Sequence, residues 1–165
     1  MGMPQDFETA VRAHGAMIRR IAASYEADRH LAEDLVQDIL FALWRAWPGF
    51  RGQASARTFI ARIAVNRAIS HVARALRTPR AVGLDDALPA PGEDAETRTI
   101  ARDREAGLLA AVRRLPLANR QIVTLTLEGL TPADIAEYIG LTVNAVAIRL
   151  TRAKHLLRRQ MGDPP

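Results

Sequence analysis

The chain has 165 residues, a formal net charge of +5 at pH 7 and no cysteine, which excludes disulfides and thiolate metal sites. Its start lacks the basic and apolar regions of a secretion signal, and its apolar runs are too short for a membrane span, so we expect a cytoplasmic protein without membrane insertion. Aromatic residues make up only 5% of the chain and strand-like alternation is scarce, which predicts an all-α fold.

The charges are unevenly distributed along the chain. Residues 1–77 hold 11 Lys/Arg against 7 Asp/Glu, residues 78–105 hold 4 against 7, and residues 106–165 hold 8 against 4. Two basic blocks therefore flank an acidic middle. This pattern is typical of two domains that face nucleic acid and are joined by a segment that avoids it.

Three helices are predicted in the first basic block, at 6–23, 28–46 and 55–76, from apolar residues that recur at helical intervals. Pro48 and Gly49 end the second helix. The polar face of the second helix is mostly acidic and comprises Glu33, Asp34, Gln37, Asp38 and Arg45. The outer side of the third helix is basic and comprises Arg57, Arg62, Arg67, Arg74 and Arg77.

Aromatic residues surround the loop between the second and third helices, namely Trp44, Trp47, Phe50 and Phe59. Aromatic rings next to arginines suit single-stranded DNA, because bases stack on rings while phosphates need cations. The alternative is that these rings fill the core, and we expect this of Trp44 and Phe59.

Residues 78–96 are rich in Pro, Gly and acidic residues and lack an amphipathic period, which predicts a flexible linker. Its extended length is at most about 60 Å, enough to place two domains more than one duplex turn apart. Helices are predicted again at 97–115 and 117–127, and with the two that follow they make a four-helix second domain.

Residues 131–160 carry the start and stop signals of a helix-turn-helix. Thr131 is followed three residues later by Asp134, a spacing that predicts a capped helix start. Gly140 supplies the left-handed turn, and Thr142 caps the next helix. Ala136 is a small residue at the helix crossing, and Val146 is expected to fill that crossing.

The second helix of this motif carries basic residues and no acidic ones: Arg149, Arg152, Lys154, Arg158 and Arg159. Such a one-signed face favours contact with a polyanion, of which DNA is the obvious candidate. A plain helical hairpin with a solvated basic face is the alternative.

Two blocks of the chain resemble the extracytoplasmic-function, or group IV, sigma factors of bacterial RNA polymerase. They are AEDLVQDILFALWRAWPGFRGQASARTFIARIAVNRAI at 32–69 and LPLANRQIVTLTLEGLTPADIAEYIGLTVNAVAIRLTRAKHLLRR at 115–159. The resemblance implies a region 2-like domain of three helices at 1–77, a linker at 78–96 and a region 4-like domain of four helices at 97–165. It also implies a protein that binds core RNA polymerase, directs it to promoters and helps to open the DNA.

The resemblance implies three groups of site residues. The contact with core RNA polymerase maps to Asp34, Gln37, Asp38 and Arg45. The downstream promoter element maps to Ala46, Phe50 and Asn66 as a base pocket, with Arg62, Arg67 and Arg74 on phosphates. The upstream element maps to Thr142, Asn144, Arg149, Arg152 and Lys154. Promoter DNA, core polymerase and an anti-sigma factor are the expected partners, and no cofactor, metal, small-molecule substrate or catalytic residue is expected.

Relatives usually carry Thr, Lys and Ser where this chain has Ala145, Ala147 and Ile148. These side chains offer no hydrogen bonds, so DNA recognition there is left to thymine methyl groups, DNA shape or phosphates. Two other functions remain open: a helix-turn-helix repressor, and a sigma mimic that binds an anti-sigma protein without recognising a promoter. An enzyme is disfavoured, because the four histidines are scattered without partners at ligand or triad spacing.

Overall fold

The computed structural model describes residues 6–78 and 96–162, with side chains in the second segment described from Thr99 onward. Within these ranges the chain forms seven α-helices and one 3-10 turn, which confirms the predicted all-α class. The helices are α1 (Phe7–Ala23), α2 (Arg29–Ala46), α3 (Ala56–Arg77), α4 (Glu96–Arg113), α5 (Leu117–Leu127), α6 (Pro132–Ile139) and α7 (Val143–Met161), with the 3-10 turn at Trp47–Gly49. The predicted linker lies almost entirely outside the described residues.

Local signals set the helix starts. The Asp28 carboxylate accepts a hydrogen bond from the backbone N–H of Leu31 at 3.0 Å, and the Ser55 hydroxyl accepts one from that of Thr58 at 3.1 Å. Each bond satisfies a backbone donor that has no partner inside the helix. Asp28 therefore starts α2 and Ser55 starts α3, both within one residue of the predicted positions.

Helices α1, α2 and α3 pack against one another around fully buried aliphatic residues such as Ile18, Ile39 and Ile60. The buried stripe of α2 is Leu35, Ile39 and Leu43. Trp44 is 60% exposed, so the expectation that it fills the core is wrong. The reason is geometric: successive helical residues are about 100° apart, which turns Trp44 away from the stripe that ends at Leu43.

Phe59 was also expected to fill the core, but it lies in a ring cluster beside the core and is not one of the buried core residues. It is half-buried and touches both Trp47 and Phe50, with ring centroids 5.9 Å and 4.8 Å apart. Edge and tilted ring contacts of this kind add to the burial of the rings themselves. Trp47 also contacts Phe7 of α1, with ring centroids 5.8 Å apart, so aromatic packing holds the α2–α3 connection against α1 and α3.

The last four helices pack as a second unit, in which α7 contacts α4, α5 and α6. One apolar cluster of this unit joins Val112 and Leu115 of the α4 end to Val123 of α5 and Ala153 of α7. The motif helices α6 and α7 are thus fixed to a scaffold made by α4 and α5.

The two units also contact each other, which we call the closed arrangement. Ile122 and Leu125 of α5 and Ile135 of α6 belong to the same buried cluster as Ile18 and Ile21 of α1. Helix α3 packs against α5. Sequence patterns gave no expectation for this placement.

Among the described residues, no helix combines the length and the apolar character that crossing a membrane requires.

Candidate nucleic-acid interface

The turn between α6 and α7 has the predicted construction. The Thr131 hydroxyl accepts a hydrogen bond from the Asp134 backbone N–H, and the Asp134 carboxylate accepts one from the Thr131 backbone N–H, both at 3.1 Å. Hydrogen bonds from the Thr131 side chain, and then from its backbone, lower the pKa of Asp134. Gly140 has φ of 73°, the left-handed conformation that ends α6. The capping box and the turn glycine are therefore confirmed.

Helix α7 begins at a cap and shows its basic side to solvent. The Thr142 hydroxyl accepts a hydrogen bond from the Ala145 backbone N–H at 3.1 Å. The predicted upstream residues Asn144, Arg149, Arg152 and Lys154 are all exposed. At about 100° per residue, Arg149 and Arg152 lie about 60° apart, whereas Lys154 lies about 140° from Arg149. The predicted cations therefore flank both sides of the outer face.

The middle of that outer face holds Asn144 together with three residues that the sequence prediction did not select for the DNA site. Buried or half-buried residues line the inner side of α7 at Val146, Leu150, Ala153 and Leu157. The same spacing, shifted by two residues, gives an exposed outer stripe of Asn144, Ile148, Thr151 and His155. The spacing of four, three and four residues was available in the sequence and would have identified this stripe.

The predicted base pocket is partly assembled. Phe50 is half-buried against Trp47 and Phe59, with ring centroids 5.0 Å and 4.8 Å away, and Ala46 immediately precedes Trp47. Asn66 is exposed two helical turns beyond Phe59, on the same side of α3. The arrangement is a line of aromatic surface followed by an amide, about 10 Å along the helix.

The three arginines predicted to hold phosphates differ in their surroundings. Arg74 is exposed. Arg67 donates hydrogen bonds of 2.8–3.0 Å to both carboxylate oxygens of Asp38, a residue predicted to contact polymerase. Arg62 is only 24% exposed and faces α6, where it donates to the backbone oxygen of Asp134 at 3.2 Å. Only Arg74 is presented to solvent without these bonds.

A buried carboxylate joins the two units, and we call Glu128, Arg20 and Arg57 the Glu128 cluster. Arg20 donates to both Glu128 carboxylate oxygens, at 3.1 Å and 2.8 Å, while the Glu128 side chain is only 5% exposed. Arg57 donates to the Glu128 backbone oxygen at 2.6 Å. A nearly buried carboxylate is stable only when it is paired in this way. The cluster therefore ties α1 and α3 to the end of α5.

Further polar contacts cross the same boundary. The Tyr138 hydroxyl donates to the Arg62 backbone oxygen at 3.0 Å, and Arg113 donates to the Ala23 backbone oxygen at 2.6 Å. The Arg62 guanidinium also lies over the Tyr138 ring, 5.6 Å from its centroid. Burial raises the pKa of Tyr138 and lowers the pKa of Arg113.

The predicted polymerase face of α2 is open to solvent. Asp34, Gln37 and Arg45 are exposed, and Asp38 is half-buried beside Arg67. Phe41 and Trp44, which are 56% and 60% exposed, stack with centroids 6.1 Å apart and lie next to these residues along the helix. Positions 34, 37, 38, 41 and 45 follow helical spacing, so the face combines acidic and aromatic groups. Sequence reasoning had not assigned the aromatic pair to it.

In the described part of the chain, no group of three or more His, Asp or Glu side chains is placed to hold a metal ion.

Two family models match the chain. Residues 10–78 match Sigma-70 region 2, and residues 106–157 match Sigma-70, region 4. The two matches fall on helices α1–α3 and on helices α4–α7, which are the two units described above.

Similar proteins include the ECF RNA polymerase sigma factor SigM of Mycobacterium tuberculosis, which is 30% identical over 158 residues that cover 94% of this chain and 77% of SigM. The RNA polymerase sigma-H factor of Pseudomonas aeruginosa is 30% identical over 170 residues, covering 97% of this chain and 88% of that protein.

Among solved structures, the fold is similar to that of the sigma factor RpoE in its complex with the anti-sigma factor NepR from Bartonella quintana. The TM-score is 0.72 at 20% identity, with 98% of this chain and 99% of the other covered. The structure of CnrH in complex with the cytosolic domain of CnrY gives a TM-score of 0.68 at 24% identity, with 99% and 92% covered.

Proposed function

The chain belongs to the ECF RNA polymerase sigma factors, which direct core RNA polymerase to promoters. On this basis we propose which of its helices binds the polymerase and which bind each promoter element. Helix α2 binds the polymerase, the α2–α3 loop with α3 binds the downstream element, and α7 binds the upstream element. The chain performs no catalysis in this proposal, since the polymerase carries out nucleotidyl transfer. It acts in the cytoplasm, where polymerase and promoter are found.

The upstream site is supported by the exposure and charge of α7. Arg149, Arg152 and Lys154 lie on its two flanks, where they reach phosphates on the two sides of a major groove, while Asn144 lies at the helix start facing outward. Thr142 uses its hydroxyl as the helix cap, so it serves DNA binding by holding the start of α7. This acid-free, outward-facing helix is the observation that carries the proposal.

The downstream site is supported by the aromatic line at the α2–α3 loop. Phe50 and Ala46 offer apolar surface for an unpaired base, and Asn66 offers an amide for a base edge. Arg74 is free to meet a phosphate, but Arg62 is held by α6 in the closed arrangement. Arg62 therefore contacts DNA only after α3 and α6 separate.

Separation of the two units also relieves a cost at Arg62. Its Nε atom is buried without a hydrogen-bond partner among the described residues. A buried donor left unpaired costs free energy that exposure to water or to a phosphate would recover. The domains of this sigma factor open, in our proposal, when the downstream element binds.

The polymerase site is supported by the acidic and aromatic stripe of α2. Asp34, Gln37 and Arg45 are exposed for a partner surface, and Asp38 is shared with Arg67. A polymerase group that replaces Arg67 at Asp38 would release Arg67 toward DNA. Binding of the polymerase and of the downstream element would then be coupled through one ion pair.

An anti-sigma factor is a further proposed partner. The two similar solved structures described above are complexes, one of the sigma factor RpoE with the anti-sigma factor NepR and one of CnrH with the cytosolic domain of CnrY. A regulator that binds across α1–α3 and α4–α7 would hold the closed arrangement and keep Arg62 away from DNA.

The test of the function is transcription in vitro with purified core polymerase and genomic promoter fragments. We expect promoter-dependent starts that require the chain. A helix-turn-helix repressor or a sigma mimic would give none, although a repressor would still bind duplex DNA and a mimic would not.

The upstream assignment is tested by Arg149→Ala. We expect weaker promoter binding on all sequences and a salt dependence of the binding constant whose slope falls by about 1, as one phosphate contact is lost. Arg114→Ala is the matched control, because Arg114 is exposed on the same unit at the end of α4 and loses the same charge. If the salt dependence of the binding constant has the same slope for both variants, the assignment of Arg149 to the DNA contact is wrong.

The downstream assignment is tested by Phe50→Ala and Asn66→Ala. Both should impair strand opening more than they impair duplex binding, because the pocket holds an unpaired base. Equal loss of the two activities, together with a lower melting temperature, would indicate misfolding.

A further inference from the structure

The outer stripe of α7 contains one isoleucine among polar residues. Ile148 is 45% exposed and lies between Asn144 and Thr151 on the side of the helix opposite Val146. Val146, by contrast, is fully buried and belongs to the same apolar cluster as Ile135 and Ala136 of α6. An exposed aliphatic side chain in the middle of this otherwise polar stripe is available for an apolar contact with the partner that the stripe binds.

The charges around Ile148 determine the kind of partner. Helix α7 has no acidic residue, and Arg149, Arg152 and Lys154 flank the stripe, so the partner is a polyanion. Among the features of duplex DNA, the major groove contains one exposed apolar group, the 5-methyl group of thymine. The combination of cationic flanks and an apolar centre therefore matches a thymine in a major groove.

The neighbours of Ile148 support this match. Ala147 offers only a methyl group, and the Thr151 hydroxyl already donates to the Ala147 backbone oxygen at 3.0 Å. Asn144, one turn before Ile148, carries an exposed amide that pairs with adenine edges. The i and i+4 positions lie about 6 Å apart, roughly the rise of two base pairs. Asn144 and Ile148 can thus contact A·T pairs about two steps apart in the same groove.

We propose that Ile148 is a specificity-determining residue that packs on the 5-methyl group of a thymine in the upstream promoter element. This proposal rests on the proposed function and adds a chemical basis for its sequence preference. It selects the thymine methyl group from the three alternatives that the residues Ala145, Ala147 and Ile148 leave open.

The test uses the full chain with core polymerase on a promoter located by transcription in vitro. Each thymine of the upstream element is replaced in turn by deoxyuridine, which removes one methyl group and keeps base pairing. We expect one replacement to weaken binding about fourfold, the effect of losing one buried methyl group. With Ile148→Ala, the same replacement should change affinity less than about 1.5-fold, because the partner of the methyl group is gone.

Val143→Ala is the matched control. Val143 is 50% exposed at the start of α7 but lies off the outer stripe, so this variant should keep the full deoxyuridine effect. Because Ile148 is on the surface, Ile148→Ala should fold normally, which circular dichroism checks.

The outcomes separate the inference from the function. The inference is wrong and the function stands if the wild-type chain directs transcription but no deoxyuridine replacement weakens its binding. The same holds if a deoxyuridine replacement weakens binding of Ile148→Ala as much as it weakens binding of the wild type. If the chain with core polymerase neither binds nor transcribes any promoter fragment, the proposed function is wrong and the inference falls with it.

Discussion

Replacing Arg20 with alanine should shift the equilibrium from the closed arrangement towards an open one without unfolding either unit. Arg20 lies on α1, and its bidentate bond to Glu128 on the other unit is one of the few charged contacts between them. The variant leaves a carboxylate that is 5% exposed, and among the described residues its one remaining ion-pair partner is Arg57, 3.8 Å from a carboxylate oxygen. A buried charge without its main partner favours the state in which water reaches it.

The size of the effect follows from how exposed each partner is. Removing one member of a fully buried pair costs about 3–5 kcal/mol, whereas an exposed pair contributes about 0–1 kcal/mol. The Arg20 side chain is 43% exposed and Arg57 partly replaces it, so we expect about 1–2 kcal/mol. This shifts the ratio of closed to open molecules by roughly 5–30-fold.

The distance between the units is measurable by fluorescence energy transfer, because the chain has no native cysteine to block. His30→Cys in α2 and Gln160→Cys in α7 place labels at exposed positions on the two units. Arg20→Ala should lower the transfer efficiency, and the neighbouring Arg19→Ala, which removes the same charge from the exposed side of α1, should leave it unchanged. If the two variants give the same closed fraction as wild type, the ion pair contributes nothing and the apolar contacts alone hold the units together.

Other substitutions test local features of the fold. Gly140→Ala places a side chain at φ of 73° and should cost about 1–2 kcal/mol in chemical denaturation, while Gly49→Ala, in open space, should be nearly neutral. The lowered pKa of Asp134 means that its ionised form stabilises the fold above its ordinary value of 3.8 and that this contribution is lost as pH falls through the lower folded value. Asp134→Asn should therefore flatten the acid limb of a stability–pH curve, and an unchanged limb would contradict the assignment. Leu43→Ala should cost about 2–5 kcal/mol and Trp44→Ala less than about 1 kcal/mol in denaturant melts; equal losses would mean that Trp44 is packed after all.

Helix boundaries and caps could be predicted because their causes are local. The spacing of Thr131 and Asp134, the glycine at 140 and the threonine at 142 each act within one helical turn. The structure shows the expected cap bonds and the left-handed glycine. The exposure of Trp44 was missed because a tryptophan next to an apolar stripe was assumed to join it, whereas the helix rotates it away.

The contacts between the two units could not be predicted in the same way. Arg20 and Glu128 are 108 positions apart, and the chain offers many other arginines as partners. A partial signal existed: Glu128 is the only acidic residue between 106 and 133 and directly follows the apolar end of α5. An isolated acid at such a position indicates a paired carboxylate, but nothing in the sequence names its partner.

The closed arrangement affects the two proposed DNA sites unequally. The outer face of α7 is exposed while the units are packed together, so the upstream site is available without any rearrangement. Arg62 is held between α3 and α6 by the Asp134 backbone oxygen and the Tyr138 ring, so the downstream site is incomplete until the units separate. The proposed upstream site can therefore bind DNA before the units separate. A variant that weakens the Glu128 cluster should strengthen downstream binding while leaving upstream binding unchanged. Equal effects on binding at both sites would mean that packing of the two units does not control the access of Arg62 to DNA.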